Sequence, residues 1–78
     1  MTTQNNDEFI PKLLKAPTPK QIKDMRKSIK ITQDRASNLL HVSTITYFRW
    51  ETGKIEMPYG YWELFSIKCQ MIKDGIAL

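Results

Sequence analysis

The sequence predicts an all-α fold, a compact bundle of four to five short helices, and three observations carry that prediction. Thr18, Thr32 and Ser43 each stand where a helix cap is expected, ahead of a run with helical spacing. Apolar residues recur at intervals of three, four and seven, the period of a helix with one buried face. Gly53 and Gly75 follow two of these runs, where a chain leaving a helix needs a left-handed residue. With 78 residues and 41% hydrophobic composition, the chain suffices for one domain, with no room for a separate catalytic or ligand-sensing one.

Residues 1–8, MTTQNNDE, are polar and without periodicity, so they read as a disordered arm ahead of a domain spanning 9–78. Phe9, Ile10, Leu13 and Leu14 then form a short apolar cluster interrupted by Pro11, suited to one helical turn packed on the body. The first long helix starts at Thr18-Pro19-Lys20-Gln21, with Thr18 as cap, Pro19 in the first turn and Gln21 placed to complete a capping box. Its inward face is Ile22, Met25, Arg26 and Ile29, and Lys20, Lys23, Lys27 and Lys30 lie around the rest.

Thr32 caps a second helix from Gln33 to Leu40, with Ala36, Leu39 and Leu40 facing inward. The turn is His41-Val42-Ser43, and Ser43 caps a third helix that Gly53 ends. In that helix Tyr47 and Trp50 fall on the inward face, and Thr44, Ile45, Phe48 and Arg49 on the opposite one. A fourth helix runs from about Pro58 to Lys73. Its polar stripe of Glu63, Ser66, Gln70 and Lys73 is narrow, and Tyr61, Trp62, Leu64, Phe65, Ile67, Cys69, Met71 and Ile72 fill most of the remaining circumference. So wide an apolar arc implies a second apolar partner beyond one core contact.

Twelve Lys and Arg against eight Asp and Glu give a net charge of +4, which favours anionic partners such as nucleic acid or membrane headgroups. The excess is concentrated from Lys12 to Lys30, where seven basic residues face Asp24 alone. The single cysteine, Cys69, excludes an internal disulfide, and no stretch resembles a membrane span or signal peptide, so a cytoplasmic setting is expected. A membrane-surface helix would need a cationic stripe opposite the apolar arc, and the fourth helix instead carries Glu63 with Lys73. No Ser-His-Asp set, paired carboxylate motif, phosphate-cradling glycine loop or metal-ligand cluster is present, so no catalytic residue, cofactor or metal is predicted.

Read in register, Thr32-Gln33, Val42-Ser43 and Arg49-Trp50-Glu51 followed by Gly53 resemble the Cro/C1-type helix-turn-helix family of phage and bacterial repressors, whose domain is lambda-repressor-like. The strong resemblance covers Ile31 to Gly53, a helix-turn-helix at 32–53, and a looser one extends from about Pro19 to Phe65. It implies that the third helix enters the DNA major groove, with Thr44, Ile45 and Arg49 at base-reading positions, Thr44 serving a base or a phosphate, and Phe48 at the groove wall, where it meets a base or packs. Arg49 is the best placed for a two-pronged contact with guanine. It implies backbone roles for Gln33 and Ser43, and a phosphate-contacting pool of Lys20, Lys23, Lys27, Lys30 and Lys54, of which two or three engage together.

The resemblance also pairs the Arg seven residues before Gln33 with the Glu that closes the third helix, here Arg26 and Glu51, as a structural ion pair. The sequence departs from the family at two positions, where Ser37 replaces the usual Ala and His41 the usual turn Gly. One further residue stands between Gly53 and Pro58. His tolerates a positive φ better than most residues, so the turn survives at some cost in strain. Repressors of this size bind as dimers, which makes Tyr61, Trp62, Phe65, Cys69 and Ile72 candidates for a homodimer interface; the alternative cover for that face is the Phe9–Leu14 cluster of the same chain. The implied function is a dimeric repressor on a palindromic operator, its own promoter among the candidate targets. The alternative is an antitoxin-type module that binds a partner toxin and autoregulates its operon.

Overall fold

The computed structural model describes residues 15–78. The expected arm at 1–8 and the apolar cluster from Phe9 to Leu14 lie outside the described residues. Four helices follow in chain order, α1 (Pro19–Ser28), α2 (Gln33–Leu39), α3 (Thr44–Thr52) and α4 (Tyr59–Lys73), and there is no strand among the described residues.

Each of the first three helices begins on a hydroxyl side chain that satisfies an otherwise unpaired backbone N–H. Thr18 Oγ1 accepts from Gln21 N at 3.1 Å and Gln21 Oε1 accepts from Thr18 N at 2.8 Å, a complete capping box with Pro19 in the first turn. Thr32 Oγ1 accepts from Arg35 N at 3.0 Å and Ser43 Oγ from Thr46 N at 3.1 Å. The fourth starts differently, on Pro58 with no side-chain cap. The expected start at Pro58 and end of the second helix at Leu40 each shift by one residue, since both are caps rather than helical positions.

All four helices end on a left-handed residue: Lys30 (φ 57°), His41 (φ 59°), Gly53 (φ 81°) and Gly75 (φ 88°). After α2, Val42 N donates to Ser37 O at 3.1 Å and His41 N to Asn38 O at 3.2 Å, which is the Schellman pattern that pairs terminal carbonyls. Ile76 N to Met71 O and Gly75 N to Ile72 O repeat it after α4. His41 thus holds the positive φ that its place in the turn demands, and Lys30 holds one that the sequence pattern does not announce. Gly53 is constrained twice, because a Cβ there would meet Pro19 Cγ at 3.3 Å.

The core is built from Ile22 of α1, Ala36 and Leu40 around α2, Tyr47 and Trp50 of α3, Met57 of the α3–α4 connection, and Phe65 and Cys69 of α4. Tyr47 is its hub, edge-on to Trp50 at 6.2 Å and to Phe65 at 6.0 Å between ring centroids, and Trp50 packs on Tyr61 at 5.1 Å. Ser37, 1% exposed, lies among these residues; its hydroxyl donates to Asp34 O at 2.7 Å, so a polar atom at this close approach is satisfied within its own helix.

Two of the expected interface residues are corrected by this packing. Phe65 (0% exposed) and Cys69 (2%) are interior to the chain's own core and are unavailable to a second molecule. They occupy one inward stripe of α4, and the apolar arc is wide because Tyr61, Trp62 and Leu64 flank that stripe against the same core. Ile72 is half-buried, and the apolar side chains that α4 and the chain after it leave in solvent are Ile67, Ile76 and Leu78.

Candidate functional site

α3 has two faces, and the burial pattern separates them cleanly. Tyr47, Trp50 and Glu51 are buried; Thr44, Ile45, Phe48 and Arg49 are exposed, Ile45 at 62% and Phe48 at 49%. These exposures are high for apolar side chains on a helix whose other side is fully packed. Arg49 has no side-chain hydrogen bond or ion pair among the described residues, so its guanidinium is free to act as a planar, five-donor fork. The outward surface therefore presents a cation, a ring, a branched aliphatic and a hydroxyl within the first two turns of one helix.

The inward face is fixed by a polar cluster. Arg26 Nε donates to Glu51 Oε2 at 2.6 Å and Nη2 to Glu51 Oε1 at 3.2 Å, while Nη1 donates to Ile31 O at 3.0 Å. One guanidinium thus binds α1, the α1–α2 connection and α3. Gln33 Nε2 adds a third bond to Glu51, at 3.1 Å to Oε1. The Glu51 side chain is 1% exposed and that of Arg26 13%. Burial by itself would raise the Glu51 pKa, yet the bonds from Arg26, the neighbouring Tyr47 hydroxyl and the bond from the Gln33 amide outweigh it and hold the carboxylate below its ordinary range. The Glu51 hydrogen bond correspondingly raises Arg26. Tyr47 Oη is buried beside this cluster with no hydrogen-bond partner among the described residues, and burial pushes the phenol far above its usual value.

Gln33 is thereby committed to bracing α3, and its amide hydrogens point into the protein. The polar side chain that α2 turns outward beside α3 is Asp34, whose carboxylate accepts from Thr44 Oγ1 at 2.8 Å. Ser43 is occupied as the α3 cap and also donates to Thr46 Oγ1 at 3.0 Å. The lysine pool is exposed throughout: Lys20, Lys23 and Lys27 fall within one stripe of α1, opposite Ile22, with Lys30 at its end and Lys54 just beyond α3. Lys20 is paired with Asp24 at 2.6 Å, a solvated contact that lowers its claim on a phosphate.

Sequence reasoning missed Lys68. From α4 its ammonium donates to Leu39 O at 2.5 Å and lies 3.3 Å from His41 Nε2, so a cation sits at the carbonyl end of α2. Nothing in the local pattern marks Lys68, because its partner is far away in the chain. Cys69 is the next residue; burial pushes its thiol up to about 11, which leaves it unreactive in the folded protein. An open groove of about 300 Å³ between residues 15–19 and 53–57 is lined mainly by Pro17, Pro19, Trp50, Ile55 and Met57, and brings no set of polar groups to a point. No group of His, Cys, Asp and Glu suited to a metal occurs among the described residues. No helix among them is long and apolar enough to cross a membrane.

No protein-family model matches the chain. It is similar to the type II methyltransferase M.MspI of Moraxella sp, at 36% identity over 58 residues. That stretch covers 74% of this chain and 13% of the methyltransferase, so the chain spans only a small part of its relative's length.

Proposed function

We propose that the chain is a sequence-specific double-stranded DNA-binding module, in which α2 and α3 form a helix-turn-helix and α3 enters the major groove. The observation that carries the reading is the exposed set Thr44, Ile45, Phe48 and Arg49 on a helix whose opposite face is locked by the core and by the Arg26–Gln33–Glu51 cluster. A recognition surface needs side chains free to pair with base edges on a backbone that does not move, and both conditions meet on α3. Arg49 reads guanine, Ile45 and Phe48 meet thymine methyl groups, and the exposed lysines of α1 with Lys54 supply phosphate contacts. The face is read as a binding surface and not a catalytic one. The 58-residue match inside a much longer chain suits a helical module that recurs as one part of larger proteins.

The module acts as a homodimer on an inverted repeat and represses transcription. Tyr61, Trp62 and Ile72, half-buried along α4, are the interface residues in this reading, without Phe65 and Cys69, and the exposed Ile67 lies on the opposite side of the helix.

Selection of bound duplexes from a random-sequence pool tests the proposal. Enrichment of an inverted repeat supports it, and Arg49→Ala then loses preference at one base pair in each half-site. A pool with no enriched sequence would overturn it and shift weight to a protein-binding module. Uniform weakening by Arg49→Ala across all sequences would demote Arg49 to a phosphate contact.

A further inference from the structure

The start of α3 carries a hydrogen-bond arrangement with a definite sense. Thr44 Oγ1 lies 2.8 Å from Asp34 Oδ1, and a carboxylate only accepts, so the Thr44 proton points at Asp34. Ser37 Oγ lies 3.3 Å from Thr44 Oγ1, but Ser37 spends its own proton on Asp34 O at 2.7 Å. Each hydroxyl has one proton, and both are used inside the protein. What Thr44 keeps for an outside partner is a lone pair. Asp34 and Thr44 are both exposed, so this acceptor and the carboxylate behind it lie at the surface.

We propose that Asp34 is a specificity-determining residue that acts through Thr44, fixing the Thr44 hydroxyl as an acceptor so that α3 selects a base bearing an exocyclic amino group. This rests on the DNA-binding reading above. In the major groove the amino donors are N4 of cytosine and N6 of adenine, whereas guanine offers O6 and N7 and thymine offers O4, all acceptors. Facing guanine or thymine, Thr44 would set lone pair against lone pair beside a carboxylate. Facing cytosine or adenine, it accepts a hydrogen bond whose donor the same carboxylate attracts. Asp34 is thus a positioning residue: it contributes no contact of its own but determines which way the Thr44 hydroxyl faces. It also separates the tasks of Thr44 and Arg49, the first selecting a donor edge and the second an acceptor edge.

The experiment is selection from a random-sequence duplex pool with the wild-type chain and with Thr44→Val, Asp34→Ala and the double variant, each checked by thermal melting. The base pair whose preference changes in Thr44→Val is the one that Thr44 reads. Every base pair holds one amino donor in the major groove, so that pair is then tested with its cytosine or adenine replaced by 2-pyrimidinone or purine, which lack the amino group. The wild type is expected to lose about three- to tenfold in affinity, the worth of a single hydrogen bond, and Thr44→Val nothing. Asp34→Ala frees the hydroxyl to donate, so the loss on removing the amino group falls to about twofold or less, and the preference at the Arg49 pair stays. On the Thr44→Val background, Asp34→Ala changes nothing further at that pair, which a general electrostatic or structural role of Asp34 would not produce. The proposal is overturned by a wild type indifferent to removal of the amino group at the Thr44 pair, by an unchanged loss in Asp34→Ala, or by an equal shift in both backgrounds. A wild-type pool without any enriched motif removes the DNA-binding reading and this proposal with it. An enriched motif that Asp34→Ala leaves intact removes this proposal alone.

Discussion

The two ends of α3 are both tied to α2 by side-chain hydrogen bonds, and they differ in how much water they see. At the C-terminal end, Gln33 and Arg26 converge on a Glu51 side chain that is 1% exposed. At the N-terminal end, Asp34 accepts from Thr44, and both side chains are in solvent. A charged hydrogen bond out of water is costly to break, because the group left behind cannot be rehydrated; an exposed one is replaced by water at little cost. The buried end of the helix therefore governs stability and the orientation of α3, and the exposed end can change its residues without endangering the fold.

The largest effect is expected at the buried end. Glu51→Ala leaves the Arg26 guanidinium without its partner and should cost about 3 to 5 kcal/mol in denaturant unfolding; a loss under 1 kcal/mol would erase the contrast between the two ends. Acid should reach the same cluster without mutation. Because the folded protein holds Glu51 below its ordinary value, the stability it contributes is complete above the unfolded carboxylate range and is lost as pH falls through the lower folded value. The thermal midpoint should accordingly hold from neutrality down to about pH 5 and drop below about pH 4, with a shallower drop in Glu51→Gln.

A smaller effect of opposite sign is expected for Tyr47→Phe. Removing a buried hydroxyl that has no partner should raise stability by about 1 kcal/mol, measured by the same denaturation. A loss of that size would instead mean that the hydroxyl supports Glu51. The smallest effects belong to the exposed end, where Asp34→Ala and Thr44→Val should each change stability by no more than about 0.5 kcal/mol. A larger change would make the Thr44 network part of the fold's support.

These contrasts also mark what the residues alone disclosed. Helix starts were legible because Thr18, Thr32 and Ser43 act on backbone groups two or three residues away, and local chemistry is written in local sequence. The inward faces of α2 and α3 followed from helical period. Contacts between distant residues were less accessible: the Arg26–Glu51 pairing came from family resemblance, and neither Lys68 reaching Leu39 O nor Asp34 holding Thr44 has any spacing to announce it. Met57 is fully buried in a connection too short to show a period. On α4 the periodicity located an apolar arc but could not say which part of it the chain covers itself, and Phe65 and Cys69 were misassigned for that reason.

Cys69 turns this packing into a clock. Its thiol is 2% exposed and pushed up to about 11, so a thiol reagent reaches it only when α4 lifts from the bundle. With reagent in excess and reclosure faster than labelling, the modification rate reports the population of the open state, and a wild-type chain carries this reporter without an added label. Bound DNA that steadies the bundle would slow that clock, so a single buried sulfur can register both how firmly the four helices hold together and whether the outer face of α3 is engaged.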